Sequence, residues 1–341
     1  MKAPFPWFGG KRRVAPWVWD AFGDVDNYVE PFAGSLAVLL ERPAHHDARA
    51  ETVNDADSYL ANFWRALIAE PEAVAAYADY PVNETDLFAR HLWLVNTGRQ
   101  ILLAGMEADP DFYDPKIAGW WVWGINAWIG SGWCSGTGPW QHDPDEPNRQ
   151  RPHLGNAGQG VNRKLPHLGD AGRGVNRKLP HLGDAGRGEP TGEAIRAYMG
   201  QLAWRLRRVR VVCGDWTRVV TMGALNYGDT VGVFLDPPYL GEVRTENLYV
   251  TDDHDIANDV RTWALEHGND RRLRIILAGY EDEHEAHMPA SWRRISYSAN
   301  KSYGSANGGG VNETNRHKER LWVSPSCLRS TPTLFDEAVS W

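Results

Sequence analysis

One short segment of the chain combines side chains that could act on an amine. It runs Val233-Phe234-Leu235-Asp236-Pro237-Pro238-Tyr239. An amine on an aromatic ring is a poor nucleophile, because its lone pair is delocalised into the ring. The carboxylate of Asp236 and the carbonyl of Pro237 could accept its two hydrogens, the Pro237-Pro238 turn would hold both acceptors, and Tyr239 could stack on the ring. The segment predicts methyl transfer to a ring amine; the alternative is a Pro-Pro turn that merely ends a strand.

A second segment has the pattern of a nucleoside-binding turn. Residues 28–35 form an apolar strand pattern that ends in small residues ahead of a helix, which would place backbone donors at the carboxyl edge of a sheet. About twenty residues later, Val53-Asn54-Asp55 predicts another strand ending in an acid, and Asp55 could accept both hydrogen bonds of a ribose diol. The alternative for Asp55 is the N-cap of a helix over residues 58–67.

Four ordered motifs resemble the Dam-like DNA adenine methylases. They are Trp7-Phe8-Gly9-Gly10-Lys11, Glu30-Pro31-Phe32-Ala33-Gly34, Asn54-Asp55 and Asp236-Pro237-Pro238-Tyr239. The resemblance implies S-adenosylmethionine as the cofactor and the N6 amine of adenine in duplex DNA as the target. It implies catalytic roles for Asp236, Pro237, Pro238 and Tyr239. It also implies cofactor contacts from Trp7, Gly10, Lys11, Glu30, Pro31, Phe32, Gly34, Ser35, Asp55, Asp215, Trp216 and Asp236.

The resemblance extends along most of the chain and departs from the family in one turn. Asp215 and Trp216 match the segment that approaches the cofactor adenine, and residues 316–324 resemble the closing strand, so the similarity covers roughly residues 4–70 and 200–325. Where the family continues its turn as Gly-x-Gly, this chain has Gly34-Ser35-Leu36. Leu36 is therefore expected to bring a bulky side chain near the cofactor loop.

The middle of the chain predicts a DNA-recognition insertion. A 14-residue repeat starts at Arg151, Leu165 and Leu179, and its Gly, Pro and Asn content favours loops or short hairpins over a packed core. Residues 149–188 hold eight basic residues against two aspartates, a net charge of +6. The expected DNA contacts are Arg149, Arg151, Arg163, Lys164, Arg173, Arg177, Lys178 and Arg187, with Lys301 from a glycine-rich segment. A solvated spacer that grew by duplication is the alternative for the repeats.

These segments predict an α/β fold, a doubly wound Rossmann-like methyltransferase sheet with an inserted, mostly helical and loop-rich recognition domain. The catalytic domain is expected over residues 1–77 and 200–341, and the insertion over 78–199 with repeats at 151–192. Inside the insertion, the helical spacing of Ile117, Trp121, Ile125 and Trp128 predicts a buried helix.

Other functions remain open at this stage. The same acceptors would serve cytosine N4, and Leu36 could mark a catalytically impaired DNA-binding protein on a methylase scaffold. An RNA or protein amine methylase is a further alternative. A cytosine-C5 methylase is disfavoured, because none of the three cysteines, Cys134, Cys213 and Cys327, has the Pro-Cys context of that family's nucleophile.

The bulk composition sets the expected surroundings. The chain has 341 residues, a formal charge of -8 and no apolar run long enough for a membrane span. The cysteines lack metal or redox spacing, so we expect reduced thiols, a cytoplasmic protein and no metal. We expect double-stranded DNA as the partner, with the adenine flipped out of the duplex. We also expect a monomer or weak dimer, and a restriction endonuclease as a possible counterpart.

Overall fold

The computed structural model describes residues 1–7, 9–46, 50–128, 133–134, 192–238, 253–297 and 319–328. Within these ranges the helices are α1 (Ala15–Phe22), α2 (Ser58–Ala69), α3 (Pro71–Ala78), α4 (Glu84–Trp93), α5 (Arg99–Ala108), α6 (Pro115–Ala127), α7 (Gly192–Leu206), α8 (Met222–Leu225), α9 (Asp253–His267) and α10 (Glu281–His284). A π-helical turn, Leu94–Gly98, separates α4 from α5. Short 3-10 turns cover Lys11–Arg13, Leu39–Glu41, Trp216–Val219 and Glu285–His287.

The described strands form a mixed seven-stranded sheet. They are β1 (Asn27–Glu30), β2 (Ala50–Asp55), β3 (Val209–Cys213), β4 (Val231–Leu235), β5 (Leu273–Tyr280), β6 (Arg293–Ser296) and β7 (Glu319–Val323), in the order β3-β2-β1-β4-β5-β7-β6. Pairing is parallel between β1 and β2, β1 and β4, and β4 and β5. It is antiparallel between β5 and β7 and between β6 and β7. The α/β Rossmann-like class predicted from the sequence is confirmed, and the antiparallel end makes the sheet mixed.

The buried central strands explain the apolar runs in the sequence. Every residue of β4 is buried, as is every residue of β1, which fits strands covered on both faces. Glu30, the last residue of β1, is buried and accepts a hydrogen bond of 3.0 Å from the Tyr28 hydroxyl. The buried carboxylate at the end of β1 therefore has a hydrogen-bond partner inside the protein.

The chain folds into two compact units. Of the described residues, the first unit contains 1–7, 54–128, 133–134 and 192–215, and the second contains 9–46, 50–53, 216–238, 253–297 and 319–328. The predicted functional division, with an insertion over 78–199, stays a prediction.

The first unit packs around aromatic side chains. Phe5 meets Trp121 edge-on with ring centroids 5.0 Å apart, and it meets Phe63 in the same way at 5.3 Å. Helix α6 begins after the N-cap Asp114 and buries Ile117 and Trp121, which confirms the buried helix expected there. Trp128, expected to continue that helix, is its C-cap residue instead.

In the second unit, helix α1 packs against strand β1. Trp19 lies 4.9 Å from the ring of Tyr28 on β1, and its indole N–H donates to the Val38 carbonyl at 2.8 Å. Both rings are buried.

No helix in the described ranges is both long and apolar enough to span a membrane.

Candidate active site

In the second unit, Asp236 lies where a central parallel strand ends. It directly follows Leu235, the last residue of β4, and Pro237 after it is buried. Val233 of β4 is in register with Val29 of β1, so the two strands end side by side. The carboxyl ends of parallel strands form the edge at which open α/β sheets bind ligands. Asp236, Pro237 and Pro238 therefore follow a buried strand, as the sequence predicted, and they lie at this edge of the sheet.

Asp236 forms an ion pair with Lys11. Lys11 Nζ lies 3.0 Å from Asp236 Oδ1, and the two side chains are 5% and 20% exposed. The same ammonium donates to the Gly9 carbonyl at 3.0 Å. The sequence placed Lys11 near the cofactor and Asp236 at the methyl-transfer centre, but it gave no sign of this direct contact. Gly10, another expected cofactor residue, is exposed and precedes the 3-10 turn that carries Lys11.

The turn after β1 is tight and mostly buried. Gly34 has φ +48° and Leu36 has φ +54°, both in the left-handed region, and the Leu36 N–H donates to the Ala33 carbonyl at 2.8 Å. Pro31 is buried, Ser35 is 9% exposed, and Phe32 is half-buried.

The expected effect of Leu36 on the cofactor loop needs correction. Its side chain is 0% exposed and belongs to the hydrophobic core. It therefore offers no surface on which it could meet a cofactor. The departure from Gly-x-Gly adds a core side chain to the turn. A left-handed backbone can direct a side chain into the core as well as out of it.

Two aromatic rings lie together near the β1 turn within the second unit. Phe32 and Trp216 stack with centroids 6.1 Å apart and planes 30° apart, and Trp263 of α9 meets Trp216 edge-on at 6.4 Å. Phe32 and Trp216 were predicted as cofactor contacts, whereas no role was predicted for Trp263 from the sequence. Nothing in the pattern of residues 253–267 distinguishes Trp263 from an ordinary helix residue facing the sheet.

In the first unit, Asp55 is the last residue of β2. Its carbonyl accepts from the Gly214 N–H at 3.1 Å, and the Asn54 side-chain amide donates to the Gly214 carbonyl at 2.9 Å. Gly214 has φ +138°, a backbone conformation that favours glycine. These bonds bring Asp55 beside the turn that contains Asp215, whose side chain is exposed. The sequence predicted both acids for the cofactor but did not show that their segments hydrogen-bond.

The helix that follows β2 is capped by Asp57. The Asp57 carboxylate accepts from the N–H groups of Tyr59 and Leu60, at 2.8 Å and 3.4 Å. The alternative role of Asp55 as N-cap is therefore wrong. Burial, followed by the charge of Asp55, raises the pKa of Asp57 to about 6.

The remaining expected site residues lie elsewhere or outside the described residues. Trp7, in the first unit, is half-buried and meets Phe5 edge-on at 5.9 Å. Tyr239 lies outside the described ranges. So do all the expected DNA contacts, namely Arg149, Arg151, Arg163, Lys164, Arg173, Arg177, Lys178, Arg187 and Lys301.

Each unit, considered by itself, holds groups that could bind part of a charged nucleoside. The second unit offers a buried cation, a carboxylate at a strand end and stacked aromatic rings. The first unit offers the Asp55 carboxylate at the end of β2. A nucleoside that carries an amino acid has a base to stack, a diol to donate, and both signs of charge to pair.

Comparison with known families gives a match in the N-terminal part of the chain. Residues 7–91 match the family described as D12 class N6 adenine-specific DNA methyltransferase. The match confirms the resemblance to adenine methylases, and it spans the first three of the four motifs. The family consists of enzymes that methylate adenine in DNA. No curated protein matches the chain.

Proposed function

We propose, from the D12 class N6 adenine-specific DNA methyltransferase domain that residues 7–91 carry, that this protein transfers methyl groups from S-adenosylmethionine to adenine N6 in duplex DNA. The observation that carries the proposal is Asp236 at the end of β4, followed by two prolines and held by Lys11 at 3.0 Å. A carboxylate fixed at this edge of the sheet favours chemistry on a bound base over the alternative of a turn that merely ends the strand.

The chain's part in the reaction is to make the target amine nucleophilic. Asp236 would accept one hydrogen of the amine and the Pro237 carbonyl the other, which directs the nitrogen lone pair out of the ring system. The nitrogen gains the methyl group and gives up one proton, which Asp236 would receive. Because Pro237 and Pro238 fix the backbone, the acceptors need little rearrangement when the base arrives.

The cofactor contacts divide by chemistry. S-adenosylmethionine supplies an electrophilic methyl group on a positively charged sulfur. The Lys11 ammonium suits its carboxylate, Glu30 its ammonium, and Asp55 its ribose hydroxyls. Phe32 and Trp216 offer aromatic faces for its adenine. The further cofactor contacts implied by the resemblance are Trp7, Gly10, Pro31, Gly34, Ser35 and Asp215.

Access to the amine requires base flipping, because the N6 group lies inside the duplex. Extrusion costs a few kcal/mol of pairing and stacking, which contacts to the DNA must offset. We assign those contacts to the basic repeats at 151–192, to Arg149 and to Lys301, and stacking on the flipped base to Tyr239. The protein would work in the cytoplasm as a monomer or weak dimer, alone or alongside a restriction endonuclease.

A catalytically impaired binding protein is the less favoured alternative. Its suspected lesion was Leu36, but that side chain is buried in the core. The acceptor Asp236 is present and paired with a cation. Both observations favour an active enzyme.

The test is transfer of a labelled methyl group to unmethylated duplex DNA of mixed sequence, followed by digestion to nucleosides. We expect N6-methyladenine, and we expect Asp236→Ala to lower turnover about 100-fold or more with folding and cofactor binding largely kept. Asp20→Ala, which removes an exposed carboxylate on α1, is the matched control and should behave as wild type. Near-normal turnover in Asp236→Ala would refute the mechanism. Detection of N4-methylcytosine would show that the target base is cytosine. Absence of label on DNA with the wild-type protein would refute the methyltransferase activity.

A further inference from the structure

Lys11 reaches the proposed methyl-transfer centre directly. Its Nζ lies 3.0 Å from Asp236 Oδ1 and 3.0 Å from the Gly9 carbonyl. The side chain is only 5% exposed, so its four-carbon stem is enclosed by the protein. A buried ammonium with two oxygen partners has a defined position, unlike a lysine on the surface.

We propose that Lys11 is a positioning residue for methyl transfer, acting through Asp236 by fixing the orientation of its carboxylate before the target amine arrives. The proposal rests on the function proposed above. It goes beyond a cofactor contact, because the ion pair exists within the protein alone and needs neither cofactor nor DNA.

The need for such a residue follows from the freedom of an aspartate side chain. Rotation of a carboxylate about its last torsion is broad and nearly unrestricted by the backbone. The hydrogen bond from an amine to this acceptor weakens steeply when the angle at the hydrogen falls below about 120°. The proline turn holds the backbone of Asp236 but leaves that torsion open, and an ammonium on Oδ1 restricts it.

The position of Lys11 is itself set by the local backbone. Gly9 has φ +71°, and its carbonyl accepts from the lysine two residues later. Lys11 also begins a 3-10 turn, Lys11–Arg13, whose last carbonyl bond runs from the Val14 N–H back to the Lys11 carbonyl at 3.1 Å. The glycine turn and the 3-10 turn together present the ammonium to Asp236.

A positioning role and a pure cofactor contact affect kinetics differently. A contact made equally in the ground and transition states changes cofactor affinity and leaves kcat at saturation unchanged. A group that orients the acceptor lowers kcat, and a misplacement of about 1 Å can cost about 100-fold. The two roles therefore separate in a comparison of kcat with the dissociation constant of S-adenosylmethionine.

The variants for this test are Lys11→Met, which keeps the stem and removes the charge, and Lys11→Arg, which keeps a cationic donor. Arg12→Met is the matched control, since Arg12 lies on the same 3-10 turn but pairs with Glu41 and is 44% exposed. For each protein we would measure kcat on mixed-sequence duplex DNA at saturating cofactor, the dissociation constant of S-adenosylmethionine, and urea unfolding without cofactor. Unfolding of Asp236→Asn and of the double variant Lys11→Met/Asp236→Asn completes a cycle for the ion pair.

We expect Lys11→Met to lower kcat about 10- to 100-fold, by a larger factor than it weakens cofactor binding. Lys11→Arg should recover part of kcat, and Arg12→Met should match the wild type. The unfolding cycle should show coupling between Lys11 and Asp236. Weaker cofactor binding with unchanged kcat, or additive unfolding effects, would overturn the proposal while leaving the enzyme in place. A wild type that transfers no methyl group would instead overturn the proposed function.

Discussion

The backbone N–H of Asp57 donates a hydrogen bond of 3.0 Å to the carboxylate of Asp55. The two acids therefore have separate tasks, although they stand two residues apart. Asp57 caps α2 with its own carboxylate, whereas the Asp55 carboxylate is oriented by the turn and does not cap the helix. This division allows the cofactor role proposed for Asp55 to be tested apart from the stability of the helix.

Replacement of Asp55 by alanine should weaken cofactor binding more than it slows transfer at saturating cofactor. The ribose contact is made in the ground and transition states alike, so its loss acts mainly on affinity. Titration with S-adenosylmethionine and single-turnover transfer would measure the two effects. Asp57→Ala is the comparison, because loss of the cap should cost about 0.5–2 kcal/mol of stability. Unchanged cofactor affinity in Asp55→Ala would remove Asp55 from the cofactor site.

Asp57 should make stability depend on pH. Its pKa rises from 3.8 to about 6 on folding, so the folded protein holds the proton more readily than the unfolded chain. The stability gained from this group is fully present below pH about 4 and is lost as the pH rises through about 6. Asp57→Asn keeps an N-cap side chain but does not titrate. Urea unfolding between pH 4 and pH 7 should therefore show the variant gaining stability relative to wild type; a constant difference would contradict the prediction.

Leu36 should be important for stability and not for cofactor binding. Truncation of a fully buried leucine typically costs about 2–5 kcal/mol. At φ +54° a glycine is less strained than an alanine, so Leu36→Gly should be destabilised less than Leu36→Ala. Urea unfolding of both variants measures which one is less stable. Cofactor titration without urea, where both variants are folded, should give near-normal affinity. Tighter cofactor binding in Leu36→Gly would restore the idea that Leu36 obstructs the loop.

Removal of one repeat, residues 165–178, should weaken DNA binding. The deletion removes Arg173, Arg177 and Lys178 against Asp170, so fewer phosphates are neutralised and the salt dependence becomes shallower. Cofactor affinity should not change. DNA affinity at several salt concentrations would measure both effects. A 14-residue replacement of equal length, with the three basic residues changed to glutamine, separates charge from length. Equal affinity and slope in all three proteins would identify the repeats as a spacer.

The sequence by itself determined several strands of the sheet and one helix of the middle region. Apolar runs ending in acids predicted β2 and β4, because a strand's side-chain pattern and its terminal turn are local properties. The spacing of Ile117 and Trp121 predicted α6 in the same way. The motif order, from Lys11 through Asp55 to Asp236, was sufficient to indicate the family that residues 7–91 match.

Only the tertiary structure decided how these residues are used. The pairing of Lys11 with Asp236 joins two segments that are far apart in the sequence, and no local pattern encodes such a contact. The burial of Leu36 depends on the core residues that pack against the turn. Asp57 and not Asp55 caps α2 because β2 continues through Asp55. Side-chain direction at a chain reversal is set by packing from other elements. The sequence therefore named Lys11, Leu36, Asp55 and Asp236, whereas their contacts and the capping role of Asp57 came from the fold.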